Sequence, residues 1–113
     1  MTVWQEGKKL VVLIYEYTRQ FPKDEQFVLT PQMRRAAISI TSNIAEGFGR
    51  KTSRDKEHFY IMAAGSLTEL ENQIFISQSL GYDANKNTDE LLRQTVSVGQ
   101  LINGLLRAHR RQK

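Results

Sequence analysis

The stretch of residues 30–54 constrains the fold most, because it carries the start, the faces and the end of one helix. Thr30 is a good N-cap, and Pro31 suits the first helical position, where its missing N–H costs no hydrogen bond. Gly47 and Gly49 stand where a left-handed C-terminal cap is expected. The sequence therefore predicts a helix from the proline to the first of these glycines.

This helix has two distinct faces. Apolar residues at helical spacing predict a core stripe: Met33, Ala37, Ile40 and Ile44. Polar residues make a second stripe: Arg35, Ser39, Ser42, Asn43 and Glu46. Two interpretations of the polar stripe stay open. It is a solvated face, or it is partly buried against another helix or another copy of the chain, since Ser and Asn lower helix propensity without adding charge.

Periodicity and turn residues predict three further helices. The first ends before Pro22, because the residue before a proline is pushed out of the α region. Gly81 closes the third, and Asn87 or Thr88 caps the fourth. The predicted helices cover residues 2–20, 31–47, 53–80 and 88–110.

Packing expectations follow for the connection and for the third helix. After the first helix, Phe27 and Leu29 are expected to pack back onto the end of the bundle. Gly65 costs about 1 kcal/mol relative to Ala within a helix, which predicts that a neighbouring backbone approaches closely there. The predicted core face of the third helix is Phe59, Met62, Ala63, Ser66, Leu70, Gln73, Ile74, Ser77 and Leu80.

The chain of 113 residues is long enough for one self-sufficient domain, residues 1–113. Four amphipathic helices with short connections predict an all-α, antiparallel up-down-up-down four-helix bundle. The chain has no cysteine, which excludes a disulfide framework and a cysteine metal site. No apolar run approaches the roughly 18 residues of a membrane span, and the first residues lack the order of a signal peptide. We therefore expect a cytoplasmic protein.

The run RRAAISITSNIAEGFGR, residues 34–50, resembles the signature of the four-helix bundle protein family, first known as proteins encoded in intervening sequences of bacterial ribosomal-RNA genes. The resemblance extends to residues 4–6, 8–11, 21–23, 29–30, 65–71 and 80–82. It implies the same fold and a homo-oligomer, with a ring of five bundles as the favoured assembly. Related proteins accompany the reverse transcriptases of diversity-generating elements and bind nucleic acid. RNA, DNA or such a protein are therefore the implied partners.

Bundle topology predicts that the N-terminus, the turn between the second and third helices, and the C-terminus meet at one end. Ten cations and four carboxylates there give about +6, which leaves −2 for the rest of a chain of net charge +4. Such a patch is typical of salt-sensitive phosphate binding. Phe48 and Tyr60 are candidates to stack on unpaired bases, and Phe48 fits the core equally well. The predicted nucleic-acid contacts are Lys8, Lys9, Arg50, Lys51, Arg54, Lys56, Arg107, Arg110 and Arg111.

A polar network between the second and third helices is also predicted. Counting from the turn, Arg35 reaches the height of Glu69, so Arg35 is expected to pair with Glu69 or with Glu71. Such a network would specify register or subunit pairing more than stability. Its predicted members are Arg35, Ser39, Asn43, Glu46 and Glu69.

Catalytic motifs are not recognisable. Glu57 and His58 are adjacent, whereas di-metal bundles need Glu-x-x-His pairs. The segment GFGRKTS follows a helix and has the wrong spacing for a phosphate-binding loop. We therefore expect no enzyme activity, no metal and no cofactor. Two functions stay open: a nucleic-acid-binding module, or a protein-interaction subunit whose basic end is only solvated. Salt dependence of binding separates them.

Overall fold

The computed structural model describes residues 1–83 and 88–111, with residue 111 described by its backbone alone. All regular structure in these ranges is helical, which confirms the all-α prediction. Within them, no helix is long and apolar enough to cross a bilayer. The elements are α1 (Thr2–Thr18), a short 3₁₀ helix (Lys23–Phe27), α2 (Leu29–Phe48), α3 (Ser53–Ser79) and α4 (Thr88–Arg111). The predicted cap Asn87 lies outside the described residues.

Consecutive helices pack side by side in opposite directions. Near the end of α1, Thr18 Oγ1 accepts a hydrogen bond of 2.9 Å from Arg34 Nε, near the start of α2. Near the start of α1, Gly7 lies against the Thr41 side chain, in the second half of α2. Between α2 and α3, Ser39 contacts Ser66 and Gly47 contacts Tyr60. Between α3 and α4, Gly99 contacts Leu67 and His109 contacts Ser53. The fold is the predicted four-helix bundle.

The core confirms the predicted stripe of α2 and corrects that of α3. All four apolar residues of the α2 stripe are buried. On α3, Met62 and Leu80 are exposed, whereas Tyr60 and Leu67 are buried in their place. The reason is that α3 carries apolar residues on both faces, so its periodicity does not single out one of them. Phe27 was also placed wrongly: its side chain is 84% exposed, whereas Leu29 is buried as expected.

The start of α2 differs from the predicted one. The helix begins at Leu29, and no side chain of its N-cap residue makes a capping bond. Glu25 of the 3₁₀ helix does this instead: its Oε1 accepts from the Leu29 amide at 3.3 Å. Its Oε2 accepts a 2.7 Å bond from the Tyr82 hydroxyl after α3. One carboxylate therefore ties together both connections at this end of the bundle.

The glycines have other roles than those predicted. Gly47 lies inside α2, and Gly49 has φ −80°, so neither forms a left-handed cap. In the described chain, only Gly81 has a positive φ, at 78°. Gly65 has open space where a Cβ would stand, so no backbone of residues 1–83 or 88–111 approaches that position closely.

Candidate nucleic-acid interface

The turn between α2 and α3 has only four residues, 49–52, and both helix ends beside it are capped. Thr52 Oγ1 accepts a hydrogen bond of 3.1 Å from the Asp55 amide at the start of α3. Lys56 Nζ donates to the Phe48 carbonyl at 2.8 Å, which places a cation at the negative end of the α2 dipole. The turn is therefore a well-anchored platform for the side chains it carries.

Three cations at this end are already engaged. Arg50 lies 3.2 Å from the Glu46 carboxylate and 4.6 Å above the ring of Phe59. Arg110 pairs with Glu57 at 3.6 Å, across α3 and α4. Lys56 is the third, through its bond to the end of α2. In the two ion pairs, the side chains of Arg50 and Arg110 are 46% and 60% exposed. Solvent therefore screens both pairs, and both cations remain able to meet a phosphate.

Three further cations at the same end, Lys51, Arg54 and Arg107, are exposed and pair with no carboxylate of the described residues. Arg107 reaches this end because the last turns of α4 lie against the start of α3. We call the following set the basic end: Arg50, Lys51, Arg54, Lys56, Arg107 and Arg110. Against Glu46, Asp55 and Glu57, these six cations leave a net charge of +3.

Lys8 and Lys9 do not belong to the basic end, which corrects the prediction. Both line a groove with Glu90 and Gln94, in the first turns of α4. Lys9 pairs with Glu6 at 2.9 Å, and Gln94 Nε2 donates to the Glu6 carbonyl at 2.9 Å. Gln94 Nε2 also donates to Glu6 Oε1 at 3.4 Å, and the side-chain bonds from Lys9 and Gln94 lower the pKa of the Glu6 carboxyl.

Along α4, the thirteen residues from Gln94 to Arg107 span about 20 Å. The predicted charge of +6 therefore divides between two regions of the bundle. The side chain of Arg111, and Lys113, which were counted in that charge, lie outside the described residues.

The two residues predicted to stack on bases differ in exposure. Phe48 is 63% exposed, with Lys56 Nζ 5.7 Å from its ring centre. Tyr60 is buried against Gly47, with the His109 ring edge-on at 6.1 Å, and burial raises the pKa of its hydroxyl. Phe48 is therefore available to a base, whereas Tyr60 is a core residue.

The predicted polar network is present in part. Ser39 Oγ lies 2.9 Å from Ser66 Oγ, so it links α2 to α3. Asn43 Nδ2 donates to the Ser39 carbonyl at 2.9 Å and to its hydroxyl at 3.1 Å. Glu46 pairs with Arg50 at the turn and does not join this network.

The predicted ion pair of Arg35 is not formed. Arg35 and Glu69 line the same cleft of about 150 Å³, but no ion pair joins them, and Glu69 accepts a bond from Gln73 at 3.3 Å. Glu71 lies in a different cleft, between α3 and α4, where burial raises the pKa of its carboxyl. Neither acid therefore forms an ion pair with Arg35.

Both histidines have structural surroundings. His58 is exposed, with its ring 5.3 Å from that of Phe59. His109 Nε2 donates to the Ser53 carbonyl at 2.5 Å, which ties the end of α4 to the start of α3. Across residues 1–83 and 88–111, no group of three or more His, Asp or Glu side chains is placed to hold a metal ion.

Arg34 is a candidate binding residue that the sequence pattern did not predict. Arg34 donates from Nε to Thr18 and stacks on the Tyr15 ring, with its guanidinium carbon 4.4 Å from the ring centre. Its position next to Arg35, in the first turns of α2, was the one sequence feature that pointed to it as a candidate. Only the packing of α1 against α2 shows that Tyr15 and Thr18 fix its orientation.

This chain resembles known proteins in both fold and sequence. A solved structure from Bacteroides thetaiotaomicron VPI-5482, described as a protein with unknown function from the S23 ribosomal protein family, has a TM-score of 0.84 to this chain. The two are 18% identical, over 94% of this chain and 96% of the other, so this likeness concerns the fold. A search of curated proteins finds no match. The family model of the 23S rRNA-intervening sequence protein matches residues 1–104, and the chain belongs to this family.

Proposed function

We propose that this chain is a non-enzymatic, homo-oligomeric bundle that binds the phosphate backbone of a nucleic acid through the basic end. The observation that carries the proposal is the placement of six exposed or half-exposed cations around one capped turn and the adjoining end of α4. Three of them, Lys51, Arg54 and Arg107, have no carboxylate partner among the described residues. Phosphate contacts from such side chains supply most of non-specific nucleic-acid affinity.

RNA is the first polyanion to test. The family is described as the 23S rRNA-intervening sequence protein, and the structural relative carries the name of a ribosomal protein family. Phe48 supports an RNA with unpaired bases, because its exposed ring lies among the cations of the turn. Stacking of an unpaired base on such a ring contributes about 1–3 kcal/mol, and a duplex offers no such base.

The outer face of α3 supports the assembly. Five large apolar side chains on it are between 43% and 54% exposed: Ile61, Met62, Phe75, Ile76 and Leu80. Gly65 lies among them, with nothing within 4 Å of its Cβ position, so a second backbone has room to approach. The resemblance favours five copies. In a ring of bundles, each copy would add its own basic end, and weak contacts would reinforce one another through effective concentration.

The decisive experiment measures binding of a labelled structured RNA, a labelled single strand and a labelled DNA duplex by fluorescence anisotropy at several salt concentrations. With three phosphate contacts per copy, affinity should fall about 20- to 40-fold between roughly 50 and 200 mM salt. The variant Lys51→Glu/Arg54→Glu should bind at least about tenfold more weakly and reduce the salt slope by about two.

The matched control is Lys8→Glu/Lys9→Glu, which changes the net charge by the same amount away from the basic end. It should retain most of the affinity. Equal losses in both variants would mean that only overall charge matters. Failure of the parent protein to bind any of the three probes at low salt would overturn the proposal.

The assembly is tested separately by sedimentation velocity. Ile76→Glu, on the outer face of α3, should lower the sedimenting mass, whereas Val12→Glu, at a somewhat more exposed apolar position on α1 (52% against 43%), should not. If the parent assembles but binds no nucleic acid, the second function is favoured: a protein-interaction subunit, with a partner such as a reverse transcriptase. Assembly by apolar burial should change little with salt.

A further inference from the structure

A cavity of about 420 Å³ opens on the bundle surface between α1 and the first turns of α2. Its lining residues combine Tyr15, Pro31 and Ile38, which carry apolar groups, with two arginines, Arg34 and Arg35. Gln26 and Thr30 add neutral polar groups, and no carboxylate is among the lining residues. Ligand sites of small molecules have this composition: apolar walls with a few convergent polar groups.

Arg34 is held in place by α1 rather than by an acid. Its Nε donates to Thr18 Oγ1 at 2.9 Å, its Nη2 donates to the Tyr15 carbonyl at 3.4 Å, and its guanidinium lies on the Tyr15 ring. Every one of these partners is neutral. The guanidinium is half-buried and oriented, and it retains N–H groups that these contacts do not use.

Arg35 is the second cation of the cavity and has no anionic partner among the described residues. Both arginines line the cavity and neither forms an ion pair there, so their positive charges favour an anion bound in it. An arginine fork binds carboxylate and phosphate oxygens in bidentate geometry. We propose that this cavity binds a small organic anion, with its carboxylate or phosphate on Arg34 and Arg35 and its apolar body against Tyr15, Pro31 and Ile38.

This site is independent of the basic end and goes beyond the proposed function. Arg35 lies thirteen residues before Phe48, the last residue of α2, which is about 20 Å along the helix, and Arg50 lies in the turn beyond it. Arg35 lines this cavity and also the cleft that holds Glu69, so it stands at the border of both. A nucleic-acid contact at the turn and a ligand in this cavity would therefore engage different side chains.

The test titrates the ¹⁵N-labelled full chain with benzoate and with phenyl phosphate, and follows amide and arginine Nε–H signals. Both anions should shift the signals of Gln26, Arg34 and Arg35. Benzamide keeps the ring but lacks the charge, and inorganic phosphate keeps the charge but lacks the ring. Each of these should bind at least about tenfold more weakly, because it loses either the charge-assisted bonds or the apolar contact.

Arg35→Gln should weaken binding of both anions about tenfold or more without affecting folding, because Arg35 is exposed and unpaired within the described chain. Arg93→Gln removes the same charge from an exposed position on α4 and should leave binding unchanged. Arg34→Lys keeps the charge but loses the fork, and its thermal unfolding reports any loss of the contact between α1 and α2. Equal binding of benzamide and benzoate, equal effects of the two glutamine variants, or signal shifts confined to the basic end would overturn the proposal.

Discussion

Gly47 lies directly against the ring of Tyr60, and a Cβ at Gly47 would stand 2.6 Å from Tyr60 Cε1. Because Tyr60 is only 3% exposed, its ring has no free space into which it can move. Gly47→Ala should therefore destabilise the protein. Overpacking costs about 1–3 kcal/mol, whereas the better helix propensity of Ala returns about 1 kcal/mol. These two values leave a net loss between about 0 and 2 kcal/mol, and we expect about 1 kcal/mol in urea unfolding. An unchanged or increased free energy of unfolding would show that the core yields at this point.

Gly65→Ala is the matched substitution in open space. With nothing near its Cβ position, Ala should stabilise the isolated chain by about 0.5–1 kcal/mol. If a second copy packs on this face, the same methyl group should weaken the assembly. Unfolding and sedimentation must both be followed over a range of protein concentrations, since assembly stabilises the folded state by mass action. A more stable chain with an unaltered sedimenting mass would place the contact between copies elsewhere.

Tyr17 and Ser77 share a buried hydrogen bond of 2.6 Å between α1 and α3. Ser77 Oγ donates to the Ile74 carbonyl at 2.7 Å, so the Tyr17 hydroxyl is the donor to Ser77. Tyr17→Phe leaves Ser77 with its other bond and should cost about 0.5–1.5 kcal/mol. Ser77→Ala leaves a buried hydroxyl without an acceptor and should cost about 1–3 kcal/mol. The prediction fails if urea unfolding ranks the two variants in the opposite order.

Glu71 makes stability depend on pH in a defined direction. Burial raises the pKa of its carboxyl, so the folded chain holds this proton more tightly than the unfolded chain. Its contribution to stability is fully present below the unfolded pKa and is lost as pH rises through the folded pKa. Glu71→Gln should therefore be more stable than the parent near neutral pH, and the difference should vanish near pH 3, where both side chains are neutral. A difference of equal size at both pH values would rule out this carboxyl as the cause.

The fold could be read from the sequence where a helix has a single apolar face. Met33, Ala37, Ile40 and Ile44 lie on one side of α2, and all of them are buried. On α3 the same reasoning failed, because outward apolar residues such as Ile76 compete with the inward stripe. A helix that is apolar on two faces has no unique orientation from periodicity alone. The exposed apolar stripe of α3 can be recognised only after its buried stripe has been located.

The candidate sites depended on details that helical periodicity does not contain. Gly7 packs against Thr41, seven residues before the end of α2, so this part of α1 lies about 10 Å short of the turn. Lys8 and Lys9 therefore pack beside α4 instead of joining the turn. The heights of Arg35 and Glu69 were estimated well enough to place both at one cleft. Whether they pair depends on side-chain rotamers, which the sequence pattern does not specify.

The helical hairpin of α2 and α3 closes over short stretches of chain. The turn between them has four residues, whereas ten residues connect α1 to α2, and the bond from Gln94 to Glu6 joins residues 88 apart. Since loop closure costs more entropy as the loop lengthens, the hairpin should form before α1 and α4 complete the bundle. Pulsed hydrogen exchange during refolding should protect α2 and α3 amides first, and simultaneous protection of all four helices would contradict this order. On a chain made from its N-terminus, Lys51 and Arg54 would become ordered while Arg107 and Arg110 are still to be added. The two halves of the basic end would thus be acquired at different times.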